Sequence, residues 1–355
     1  MKRRIIFILL ILSVLISVSC KTAPQEMSNQ PYDALSLWTD EAPLKKVLTE
    51  YMGKITDKNS KDFIPVENRI AVFDMDGTLL CETDRDYFDH TLLAYRVTED
   101  SSYKNSASAF EKEVADKIIE QSKITSPVGG LDIDHGKAVA TAFKGMTPDQ
   151  FIAYIQEFKK LPMPGYEGMT RGEGFYLPMI QIINYLQANN FTVYIVSGTD
   201  RFISRAIFYG NNDFDIPPSQ IIGSDVLTVA THQGNTDGLK YTYTDQDQVI
   251  FGGQFLIKNL KMNKVTAIVR EIGVQPVLSF GNSTGDAAMA MYTITGNQYL
   301  SLAAMLCCDD VVRENGNEKK AEEMYKLCNK YGWIPVSMKN DWKTIYGDGV
   351  EKTSK

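Results

Sequence analysis

Residues 70–80 read Ile-Ala-Val-Phe-Asp-Met-Asp-Gly-Thr-Leu-Leu, and this stretch constrains the fold more than any other. The run Ile70 to Phe73 is short and unbroken, the pattern of a strand buried on both faces, as a central strand of a parallel sheet must be. Asp74 and Asp76 then arrive at its carboxyl end, where open α/β sheets place their ligands. Two carboxylates that close repel one another unless a cation sits between them, so Mg²⁺ is their natural partner. Gly77 lets the chain turn sharply away. The plain alternative is an acidic turn after a strand.

Three later segments have the same character. Phe175 to Asn189 is expected as a helix with Pro178 in its first turn, leading into the strand Phe191–Val196 and then Ser197-Gly198-Thr199-Asp200. A serine there can hydrogen-bond a phosphate oxygen, and a following helix to Tyr209 adds backbone N–H donors; in the ordinary reading Asp200 simply caps that helix. Asn263 opens a helix to about Ile272, and Lys264 near its start sits badly with the helix dipole unless it reaches a carboxylate and a phosphate. Lys261 and Lys258 are the other candidates, and a solvated surface lysine is the plain alternative. Val277–Phe280 is a second buried-type strand, ending in Gly281-Asn282-Ser283-Thr284-Gly285-Asp286.

Phe73-Asp74-Met75-Asp76-Gly77-Thr78, Ser197-Gly198-Thr199, Lys264 and Gly281–Asp286, in that order, resemble the motifs of the haloacid dehalogenase (HAD) superfamily, in its phosphatase branch. The resemblance covers about Ala71 to Met289 and is similar, less specifically, to phosphoserine- and phosphorylcholine-phosphatase-like members. It implies an α/β fold: a Rossmann-like doubly wound parallel sheet core with a mostly helical cap inserted after the first motif. It implies Asp74 as nucleophile and Asp76 as general acid/base, with Ser197, Gly198 and Lys264 binding phosphate. Asp74, Asp76 through its backbone carbonyl, and Asn282 would hold Mg²⁺, with Asp286 completing the metal site and orienting Lys264. Asn282 departs from the commoner Asp; an amide oxygen can still ligate Mg²⁺, with one negative charge fewer. The implied substrate is a small phosphomonoester such as phosphocholine or phosphoserine. Two other classes stay open: a lipid-anchored binding protein without turnover, which Asn282 favours, and a phosphotransferase, which shares every residue named.

The division expected is 1–19 as leader, 20–34 as tether, 35–81 and 175–355 as core, and 82–174 as cap. Lys2, Arg3 and Arg4 precede an apolar run to Ile16 and then Ser17-Val18-Ser19-Cys20, which resembles a bacterial lipoprotein signal with Cys20 as the lipidated residue. Ser17 stands where Leu is commonest, so ordinary secretory cleavage or an uncleaved anchor is the alternative. An exported cell-envelope protein held on a membrane by lipid, facing periplasm or exterior, follows. The formal charge of −7 becomes more negative once the basic leader is removed, which argues against nucleic acid as a partner.

Elsewhere, Leu35–Met52, 84–97, 106–124, 147–161 and 318–331 are expected as helices, with Thr147-Pro148-Asp149-Gln150 as an N-terminal signal. Ile221–Val229 and Tyr241–Phe255 are expected as a hairpin turning at Asp237-Gly238, and Tyr299–Cys308 and 333–338 as further strands. Tyr87, Phe88, Tyr95, Tyr103 and Phe110 could line an aromatic pocket or simply be core. Cys308 and Cys328 could pair in an oxidising compartment. His90, His135 and His232 lie in unrelated polar sequence surroundings, and no chemistry is assigned to them or to Asp309 and Asp310.

Overall fold

The computed structural model describes residues 33–81, 87–121, 130–211 and 213–353; the expected leader, Cys20 and nearly all of the tether lie outside them. Short 3-10 turns and a π-helical segment, Ile268–Ile272, aside, the chain runs α1 (Pro43–Thr56), β1 (Ile70–Phe73), α2 (Phe88–Thr98), α3 (Ala109–Gln121), α4 (Leu131–Ala142), α5 (Pro148–Lys159), β2 (Tyr166–Glu167), α6 (Leu177–Ala188) and β3 (Thr192–Asp200). It continues through α7 (Arg201–Phe208), β4 (Ile221–Ala230), β5 (Val249–Ile257), α8 (Met262–Ala267), β6 (Leu278–Gly281), α9 (Ala287–Ile294), β7 (Leu302–Cys307), α10 (Glu318–Tyr331), β8 (Ile334–Ser337), α11 (Met338–Asp341) and β9 (Glu351–Lys352).

β1 is central, as its apolar run requires: all four residues are buried. It pairs in parallel with β3 on one side and β6 on the other. The seven-stranded order is β5-β4-β3-β1-β6-β7-β8, parallel throughout except for the antiparallel edge strand β5. This is a doubly wound α/β sheet. The chain builds outward from β1 to β5, then returns to β6 on the other side, so the topological switch point falls between β1 and β6. Side chains alternate as the strand period demands. Ala71, Phe73, Val193 and Ile195 enter the large core under α1 and α6, while Val72, Val196 and Ile222 pack on the opposite face with Ile268 and Met289. Phe73 and Phe280 stack at 4.2 Å and lock β1 beside β6.

Four elements differ from expectation. The first helix starts at Pro43 rather than Leu35, because proline lacks the N–H a helix interior needs and is tolerated only in the first turn. The residues before it are still core: buried Trp38 donates from Nε1 to the Pro178 carbonyl (2.9 Å). α4 was not expected, since Gly136 and its alanines blur the apolar periodicity. Gly136 has a packing reason, because a Cβ there would lie 2.6 Å from the Phe255 ring of β5. The hairpin exists, but its second strand begins at Val249, and Asp237 caps a 3-10 turn instead of closing a two-residue loop. Asp247 organises that loop, accepting from Tyr241 Oη, the Thr244 N–H and the His232 N–H. Among the described residues, the aromatic side chains weighed as pocket or core go to separate contacts, with Tyr87 on His90. Phe88 and Tyr95 pack on Phe158, Tyr103 lies over Arg96, and Phe110 is exposed.

Thr147 and Gln150 form the reciprocal N-cap of α5. Cys328 is a free thiol that meets Cys307, so the expected pairing with Cys308 does not form. Among the described residues no helix is long and apolar enough to cross a membrane.

The chain end is tied back onto the insertion by the β2–β9 pair. Beside it Glu314 is fully buried, accepting from Tyr166 Oη (3.2 Å), Tyr346 Oη and the Asn315 N–H. Burial pushes its carboxyl up to about 7, against the pull of those hydrogen bonds. An acid whose folded pKa is raised contributes stability that is complete below its ordinary value and lost as pH rises through the folded one. Between pH 4.5 and 8 the wild type should therefore lose roughly 3 kcal/mol more than Glu314→Gln in chemical denaturation. Equal pH dependence of the two proteins would contradict a Glu314 carboxyl raised by burial.

Candidate active site

The site forms at the carboxyl ends of β1, β3 and β6. Sheet pairing continues one residue past β1, where the Asp74 N–H donates to the Phe280 carbonyl (2.9 Å) and fixes Asp74 at the switch point. The chain then reverses. The Met75 carbonyl accepts from the N–H groups of Thr78, Leu79 and Leu80, and Gly77 takes a φ of +74°, a conformation costly for any residue with a Cβ. Asp74 and Asp76 are both buried by this turn.

Lys264, the third residue of α8, is fully buried rather than solvated. Its Nζ lies 2.5 Å from Asp74 Oδ1 and 2.7 Å from Asp286 Oδ1. The second Asp286 oxygen accepts from the N–H groups of Asn282 (3.1 Å) and Ser283 (3.0 Å) and from Ser283 Oγ (3.1 Å). Gly281 makes this turn possible, because a Cβ there would lie 2.5 Å from Asp286 Cβ. Burial works against the Lys264 charge, but Asp286 and Asp74 more than offset it, so the amine stays an ammonium. Burial and the nearby Asp286 charge push the Asp74 carboxyl up to about 7, against the pull of Lys264. Two carboxylates and one ammonium leave a buried excess of negative charge, which suits a cation.

Asp76 is held separately: its Oδ2 accepts from Thr199 Oγ1 at 2.7 Å. The Ser-Gly-Thr-Asp stretch continues β3 instead of leaving it, and Asp200 caps α7 by accepting from the N–H groups of Phe202 and Ile203. Phe73 is level with Ile195 across the parallel pair, which places Ser197 just beyond Asp74 on the neighbouring strand. The Ser197 hydroxyl accepts from the Thr199 N–H, its carbonyl accepts from Asn259 Nδ2, and Ser224 Oγ donates to the Gly198 carbonyl.

The structure thus joins Asp74, Lys264 and Asp286 by direct contact, ties Asn282 to Asp286 through its backbone, and sets Ser197 and Gly198 on the adjacent strand end. Lys261 is exposed at the start of α8, and Lys258 acts electrostatically on Asp89. The described contacts link Asp76 to Thr199 rather than to the Asp74 cluster.

Two features escaped the sequence. One is Thr199, which positions Asp76. The other corrects the reading of the histidines: His90 and His135 are buried together, with ring centroids 4.3 Å apart, beside buried Asp89. Only His232 is apart, against Asp247 in the β4–β5 loop. His135 lies on the unexpected α4, so nothing in the sequence brought it to α2. Thr199 Oγ1 also reaches Asp89 Oδ2 at 3.3 Å, which connects this group to Asp76.

Removing the ammonium isolates two buried carboxylates, and breaking a buried pair from one side costs about 3–5 kcal/mol. Lys264→Met should lose stability of that order in chelator-treated protein, and adding Asp286→Asn should recover part of it. A single variant within about 0.5 kcal/mol of wild type would contradict the cluster.

No family model and no curated protein matches the chain. Similar solved structures include a conserved protein of unknown function from Anaerococcus prevotii, with TM-score 0.50, 13% identity, and 85% of this chain and 94% of that chain covered. Cytosolic 5'-nucleotidase IIIB bound to cytidine gives TM-score 0.48, 10% identity and coverage of 87% and 92%. A phosphoserine phosphohydrolase-like protein from Francisella tularensis gives 0.38, 13%, 72% and 92%. At such identities the Anaerococcus likeness speaks for the fold alone.

Proposed function

We propose that this chain is a HAD-superfamily phosphatase, a Mg²⁺-dependent phosphomonoesterase that works through an aspartyl-phosphate. The observation that carries the reading is the buried Lys264 ammonium bridging Asp74 and Asp286 at the switch point. A surface lysine or a structural acidic turn has no reason to make that contact. The ordered motifs from Phe73 to Asp286 supply the second support.

The Asp74 carboxylate attacks phosphorus in line, forming the acyl-phosphate bond as the ester P–O bond breaks. Asp76 protonates the departing alkoxide, then takes a proton from the water that attacks phosphorus and frees Asp74. Thr199 holds the Asp76 carboxylate for both transfers. Lys264 and Ser197 meet the equatorial oxygens, with Gly198 beside them. The donor set of the Asp74 carboxylate, the Asp76 carbonyl and the Asn282 amide oxygen, with Asp286 behind, consists of hard oxygens and fits Mg²⁺. When bound, Mg²⁺ supplies positive charge to the transferring phosphoryl group.

Residues 82–174 serve in this reading as the cap that selects a small organic phosphomonoester. Phe88 and Tyr95 pack on Phe158, and the insertion's aromatic residues give phosphocholine no preference over phosphoserine or a broad range of esters. A lipid anchor at Cys20, with the enzyme exported to the cell envelope, rests on the leader sequence. The Thr199–Asp76 hydrogen bond favours turnover over binding alone, since a binding protein has no use for a positioned acid.

Purified protein should release phosphate from p-nitrophenyl phosphate with Mg²⁺ and not with chelator. Asp74→Asn should abolish release, and Asp76→Ala should slow it by about 10²-fold or more. Hydrolysis by Asp74→Asn at the wild-type rate would overturn the assignment.

A further inference from the structure

The phosphoryl chemistry above makes no use of the buried group on the insertion helices. We propose that Asp89, His90 and His135 form a second metal site, separate from the Asp74 cluster, for a first-row transition ion of the Zn²⁺ class.

The three residues offer ligand atoms that all lie within 4.8 Å of one another. His135 Nδ1 and Asp89 Oδ2 are 3.8 Å apart, close to the about 3.3 Å between ligand atoms of a tetrahedral ion with bonds near 2.0–2.1 Å. The residues are only 2%, 5% and 2% exposed. Nevertheless Asp89 Oδ1, His90 Nδ1 and both His135 ring nitrogens lack a hydrogen-bond partner among the described residues. Each unsatisfied buried polar atom costs free energy, and one shared ion would take one such atom from each of the three side chains.

Charge points the same way. The carboxylates of Asp76 and Asp89 converge on Thr199 Oγ1, at 2.7 and 3.3 Å. That hydroxyl has one proton, and the shorter contact takes it. Asp89 Oδ2 thus shares a donor with Asp76, and among the described residues Oδ1 has none. Lys258 acts on it electrostatically, and Asp132 acts on His90, but neither makes an ion pair with the group among the described residues. Burial disfavours a positive charge on either ring, and a neutral imidazole keeps a lone pair for a metal.

Two imidazoles and one carboxylate select Zn²⁺, Co²⁺ or Fe²⁺ over Mg²⁺, which prefers oxygen alone. Three protein ligands leave a coordination position open. The ion would fasten the start of α2 to α4 beside the end of β3, one hydroxyl away from Asp76.

Chelator-stripped full-length protein, dialysed against micromolar Zn²⁺ in millimolar Mg²⁺, should retain one Zn²⁺ per chain and gain thermal stability. Co²⁺ in its place should give visible d–d bands without the intense ultraviolet band of a thiolate ligand. Asp74→Asn should retain the Zn²⁺. His90→Ala and His135→Ala should each weaken Zn²⁺ binding by at least about 10²-fold, with circular dichroism checking that they fold. The wild-type Co²⁺ spectrum decides the matter if they do not. Absence of retained Zn²⁺, a thiolate spectrum, or unchanged affinity in a folded histidine variant would overturn the site.

Discussion

One ammonium placed between two buried carboxylates is the interaction on which the candidate site depends. Lys264 cannot be buried alone, and Asp74 and Asp286 cannot both be ionised side by side without it. Three separate segments must therefore arrive together: the loop after β1, the first turn of α8, and the turn after β6. The sheet order delivers them. Since β6 returns to the side of β1 that β3 leaves open, the two acidic strand ends become neighbours at the one place where the winding reverses. The stacked Phe73 and Phe280 rings carry that neighbourhood into the core.

What was legible in the sequence was local. Ile70–Phe73 is a buried strand because four apolar residues leave no polar face, and the structure gives the same bounds. α10 and the capping box of α5 follow from periodicity and side-chain chemistry confined to one turn or one face. Lys264 was legible for a less common reason: a basic residue near a helix start opposes the dipole and needs compensation elsewhere. The failures share a cause. α4 carries a glycine that suits the Phe255 ring and spoils the helical pattern, so the benefit lies on another element. The β4–β5 loop depends on Asp247, whose partners are spread along the loop rather than gathered at one dipeptide. Thr199 and His135 acquire meaning only when β3, α2 and α4 meet.

That meeting gives the insertion a direct line to the chemistry. Thr199 belongs to the sheet, Asp76 to the loop after β1, and Asp89 to the first turn of the insertion, yet one hydroxyl lies within hydrogen-bond reach of both carboxylates. A shift of α2 would change which acid that hydroxyl serves. The helical segment thus bears on the proposed acid/base, and any ion bound by Asp89 and the two histidines would stiffen that link.

The central claim is that Asp74 is a nucleophile, and covalent trapping tests it most directly. Asp76→Ala, which should slow loss of the phosphoryl group, would be mixed with a phosphomonoester and Mg²⁺, quenched in acid, reduced with borohydride and digested for mass spectrometry. The account predicts conversion of position 74 to homoserine, dependent on substrate, because hydride displaces phosphate from an acyl-phosphate. Phosphate release with position 74 unmodified, or with the modification at another carboxylate, would contradict it.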